Sequence, residues 1–81
     1  MLIGRQIRAA RGILGWSARE TAERSGLSLP TIQRLEKYEG ISPTVQERTL
    51  NDLKRAFEMA GVEFIGTPED RPGVRFKALE P

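Results

Sequence analysis

Residues 17–40 read SARETAERSGLSLPTIQRLEKYEG, and the two serines in this stretch, eleven residues apart, decide the fold. Ser17 precedes a helix-like run and has Glu20 three residues on, the S-x-x-E pattern in which each side chain satisfies the other's backbone N–H at a helix start. The run ends at Gly26, which tolerates the left-handed conformation of a sharp turn. Ser28 caps a second run, and Pro30 falls in its first turn, where a missing N–H costs little. Two short helices, about 18–25 and 29–37, are therefore predicted almost back to back.

Their side chains set how they meet. Ala22 is small enough to let the second helix cross close, Gly26 permits the turn, and Ile32 with Leu35 one turn later anchors the second helix to a core. That anchoring turns the opposite face outward, with Leu29, Pro30, Gln33, Arg34 and Lys37 on it. An exposed helix roughly 10–12 Å across fits the major groove of B-DNA, which is about 12 Å wide. The first helix is the brace and the second the reader.

Outside this pair, Leu2, Ile3, Ile7, Ala10, Ile13 and Leu14 recur at helical spacing before a stop at Gly15. The segment YEGISPT (38–44) reads as a loop. A last helix from Val45 or Gln46 carries Leu50, Leu53, Ala56, Phe57 and Ala60 on one face and stops at Gly61. The period then changes to two: Val62, Phe64, Val74 and Phe76 alternate with Glu63, Ile65, Arg75 and Lys77, predicting strands at about 62–65 and 74–77 joined by the eight-residue loop GTPEDRPG. An isolated hairpin is marginal in water, so it is expected to lie on the helices or to pair with a second copy. Val62, Phe64, Val74 and Phe76 are the expected dimer seam. The fold class is mainly α: a four- to five-helix bundle over 1–61 with a C-terminal β-hairpin extension over 62–81.

Composition narrows the chemistry. The chain has 81 residues and a net charge of +2, with no Cys and no His, so thiol nucleophiles, Zn–thiolate sites and histidine acid–base catalysis are absent. No enzyme and no cofactor is expected. Residues 1–38 hold seven basic side chains against three acidic, or +4, and residues 39–81 hold six against eight, or −2. The basic half is where a polyanion docks. No apolar run approaches the roughly 18 residues of a membrane span, and a cytoplasmic location is expected, with no membrane partner.

The stretch LGWSARETAERSGLSLPTIQRLEKYEG, followed by Pro43 and the Leu50, Leu53, Ala56, Phe57 run ending in Gly-Val, resembles the Cro and lambda-repressor-like (XRE) helix-turn-helix regulators of bacteria and phages over residues 3 to about 62. The resemblance implies a homodimer on double-stranded DNA, nucleoid-associated when bound. It places Leu29, Pro30, Gln33 and Arg34 at base-reading positions. It implies phosphate contacts from the start of the first helix of the pair (Ser17, Arg19), from Ser28, Thr31 and Lys37 on the second, and from Thr44 and Gln46 before the last helix. It also implies an ion pair between Arg11 and Glu36, and a core position for Trp16. Ala18 stands where the family usually has Gln, and Leu29 and Pro30 stand where polar readers are common, so readout is expected from Gln33 and Arg34 plus an apolar contact to a thymine methyl. Two other uses fit the same pattern. One is an antitoxin whose acidic GTPEDRPG loop holds a small protein partner; the other is an interaction adaptor that has lost DNA binding.

Overall fold

The computed structural model describes residues 2–38 and 45–77. Among them four helices, α1 (Gly4–Leu14), α2 (Ala18–Ser25), α3 (Leu29–Lys37) and α4 (Glu47–Met59), precede an antiparallel hairpin of β1 (Val62–Thr67) and β2 (Asp70–Phe76). The architecture is a mainly helical bundle with a C-terminal hairpin. Pro43 and Thr44 lie outside the described residues.

The local chemistry that starts and stops each helix is visible in its backbone. Ser17 Oγ accepts from the Glu20 N–H at 3.0 Å and Ser28 Oγ from the Thr31 N–H at 3.3 Å. Gly15 and Gly26 close α1 and α2 in the left-handed region, and the N–H groups of Gly26 and Leu27 both return to the Ala22 carbonyl. The capping box expected at Ser17 is only half made: the Glu20 carboxylate pairs with Arg24, one turn along the exposed side of α2, at 3.1 Å.

The core lies where the four helices and β1 converge. Ile7, Ala10, Ala22, Ile32, Leu35, Leu50, Leu53, Phe57 and Val62 are buried together, and Phe57 stacks on Trp16 at 5.6 Å and meets Phe64 edge-on at 5.9 Å. Ile13, expected on the apolar face of α1, is instead 40% exposed.

The hairpin corrects the sequence reading in two ways. Its strands run on into the supposed loop, with Thr67 paired to Asp70 and Ile65 to Gly73, so the turn is only Pro68 and Glu69. Between those pairs Arg71 and Pro72 stand opposite the single residue Gly66, a β-bulge. Gly66 takes φ +76° there and Arg71 φ +50°, while Pro72 sits where a ladder N–H is not needed. Gly66 and Pro72, which read as loop, are thus bulge residues, Gly73 is paired and Pro68 sits in the turn, so no long acidic loop projects. The hairpin packs β1 on α4 and β2 on α1. Val62 is buried and Phe64 and Val74 pack on the helical core, whereas Phe76 is 52% exposed.

Candidate nucleic-acid interface

Helix α3 divides cleanly into two faces. Ile32 and Leu35 are buried, while Pro30, Gln33, Arg34 and Lys37, at i, i+3, i+4 and i+7, form one exposed stripe. Leu29 belongs to neither: it is half-buried and packs against the core beside Leu27. Buried Thr21 and Ala22 give α2 a small inner surface against α3, and the Thr21 hydroxyl donates back to the Ser17 carbonyl at 2.9 Å, so no polar group is stranded at the crossing.

The N-terminal part of α3 opens onto a concavity of about 240 Å³ shared with the start of α4. Thr31, Arg34 and Gln46 line it together with Leu27, Val45 and Thr49. Thr49 was not singled out by sequence reasoning, although it lies one turn after Gln46. Ser28 Oγ and Thr31 Oγ1 are 2.8 Å apart at the rim. Ser17 and Arg19 are exposed at the start of α2, and a capping hydroxyl that accepts through its oxygen keeps its proton for another acceptor.

The C-terminal end of α3 is held by α1. Arg11 Nε lies 3.0 Å from Glu36 Oε1 in a half-buried pair. Neither atom has a directed hydrogen bond, so the contact is a charge pair. The Arg8 guanidinium donates to the Glu36 carbonyl, satisfying one of the carbonyls that a helix end leaves open. Gly4, the first residue of α1, is pressed against the same end: a Cβ built there would overlap the Tyr38 carbonyl oxygen and stand 2.7 Å from that of Glu36 and 3.0 Å from that of Leu35. The positive end of α1 thereby meets the negative end of α3. Sequence reasoning missed Gly4 and Arg8, which make these contacts across some thirty residues.

The basic side chains sort by use. Arg8 and Arg11 hold α3, Arg24 lies 5.1 Å over the Trp16 ring and pairs with Glu20, and Arg75 pairs with Glu63 across the hairpin. Arg19, Arg34 and Lys37 remain exposed around α2 and α3. None of the helices among the described residues is long and apolar enough to cross a membrane.

A braced, outward-facing helix presented across a three-residue turn defines the class of helix-turn-helix DNA-binding proteins. A family model described as a helix-turn-helix domain matches residues 2–64. The chain belongs to that family. No curated protein matches it.

Proposed function

We propose that the chain is a sequence-specific transcriptional regulator of the Cro and lambda-repressor-like (XRE) type, working in the cytoplasm of a bacterium or from a phage genome. The observation that carries this reading is the exposed α3 stripe of Pro30, Gln33, Arg34 and Lys37 above a fully buried Ile32. Arg34 has the fork geometry for guanine O6 and N7, and Gln33 for adenine N6 and N7. The apolar contact to a thymine methyl falls first to exposed Pro30 and only at its edge to half-buried Leu29. Ser17, Arg19, Ser28, Thr31, Lys37 and Gln46 hold the phosphates on either side.

The protein acts on DNA as a homodimer, with α3 of each copy in successive major grooves and half-sites about 10–10.5 base pairs apart, inverted. Because Val62, Phe64 and Val74 pack on the protomer's own core, a second copy meets Phe76 and the open strand edges of the hairpin. Binding blocks or recruits polymerase at the site occupied.

Selection of bound duplexes from random DNA by the purified protein tests the reading. It requires an inverted repeat to emerge, and Arg34→Ala to lose about 1–3 kcal/mol on that sequence while relaxing one base position in each half. Recovery of random sequence only, or equal loss on random DNA, rejects it.

A further inference from the structure

Gln6 is a polar residue inside the apolar side of α1, and it is 4% exposed. Both ends of its amide are engaged, because Oε1 accepts from the Ile3 N–H at 3.1 Å and Nε2 donates to the carbonyls of Gly73 at 3.1 Å and Ile65 at 3.4 Å. One side chain therefore caps the start of α1 and grips both strands of the hairpin, at the paired residues just before the bulge. The turn it caps is the one on which α3 rests, since Gly4 lies so close to the end of α3 that an added Cβ would stand within 3.0 Å of the Leu35, Glu36 and Tyr38 carbonyl oxygens.

We propose that Gln6 is a positioning residue for the reading helix: through the first turn of α1 it makes the hairpin set where the C-terminal half of α3 lies. The inference rests on the DNA-reading role of α3. The hairpin carbonyls, the Gln6 side chain, the first turn of α1 and the α3 carbonyls form one series of contacts, and at its last step Gly4 places no side chain between α1 and the end of α3. A hairpin released from Gln6 no longer holds the first turn of α1 and leaves the seat of α3 free to tilt. Tilt disturbs contacts that need geometry, the bidentate ones to base edges, more than contacts that need only charge.

The test uses the full chain and the duplex it selects from random DNA, compared with a scrambled duplex, well below the melting temperature. Gln6→Met removes all three hydrogen bonds at similar volume, and Gln6→Glu keeps an acceptor for the Ile3 N–H while removing both donors to the hairpin. Each variant is expected to lose about tenfold affinity for the selected duplex, as one to two net hydrogen bonds would give, and less than about twofold for the scrambled one. Equal losses on both duplexes, or none on either, overturn the proposal. The wild-type chain supplies a check that does not depend on the variants folding. Linkage is reciprocal, so the selected duplex should slow amide exchange in β1 and β2 several-fold more than the scrambled duplex does, and equal slowing contradicts the coupling. A wild-type protein that selects no sequence refutes the function itself, an outcome distinct from these.

Discussion

Replacing Gly4 by Ala tests the seat of α3 directly, and Gly12→Ala in the same helix is its control. In most helices the change from Gly to Ala stabilises by about 1 kcal/mol, because Ala loses less backbone freedom on folding. Gly12 meets nothing within 4 Å of a new Cβ, so that gain is expected there in full. At Gly4 the new carbon would stand 2.7 Å from the Glu36 carbonyl oxygen, where ordinary contact begins at 3.4 Å, and closer still to that of Tyr38. The obstructing atoms are backbone, so relief requires a backbone shift of 0.7 Å at Glu36 and of more than an ångström at Tyr38 rather than a rotamer change. Forced overpacking of this kind costs about 1–3 kcal/mol. In a domain of this size each kcal/mol moves the melting point by roughly 4–8 °C. Thermal melts followed by circular dichroism should therefore show the two variants shifting in opposite directions, Gly12→Ala up and Gly4→Ala down. A Gly4→Ala protein as stable as wild type would mean that α1 does not carry the end of α3.

Phe57→Ala removes the ring at the centre of the core, between Trp16 and Phe64, at a cost of about 3–5 kcal/mol, a large part of the stability of an 81-residue domain; urea unfolding should show a much lowered midpoint or no folded baseline. Phe76→Asp should leave the protomer folded, because Phe76 is mostly outside the core, while shifting sedimentation from dimer to monomer; a dimer that persists would move the contact away from the hairpin edge. On the proposed dimer, Arg19 and Lys37 of two protomers would neutralise four phosphates, so log affinity should fall with log salt at a slope of about −3.6, and Lys37→Ala should reduce the magnitude by about 1.8. An unchanged slope in that variant would remove Lys37 from the phosphate contacts.

The helical pair was legible because its signals are local. A serine cap, a glycine in the left-handed region and a proline in the first turn act within four residues, and α2 begins and ends, and α3 begins, where those residues place them. The hairpin was half legible. Alternation located its paired ends, but Gly66, Pro72 and Gly73 signal a bulge and a loop alike, and only cross-strand pairing distinguishes them. The contacts that join α1 to α3 and to the hairpin were the least legible. Gly4 and Arg8 meet α3 some thirty residues away, and Gln6 reaches carbonyls 59 and 67 residues distant, where no periodicity registers. One trace did exist: a glutamine between Ile3 and Ile7 on an apolar face needs buried partners. Arg24 illustrates the converse, a cation in the basic half that is drawn to Trp16 and Glu20 rather than toward a ligand.

Dimethyl sulfate footprinting on the selected duplex tests the central claim most directly, since the reagent methylates guanine N7 in the major groove and adenine N3 in the minor groove. With Arg34 at a guanine edge, wild-type protein should protect one guanine N7 in each half-site, and Arg34→Ala should restore its methylation while the flanking backbone stays protected from hydroxyl-radical cleavage. Protection confined to adenine N3, or guanine protection that survives the loss of Arg34, would contradict the assignment of the exposed face of α3 as the surface that reads DNA.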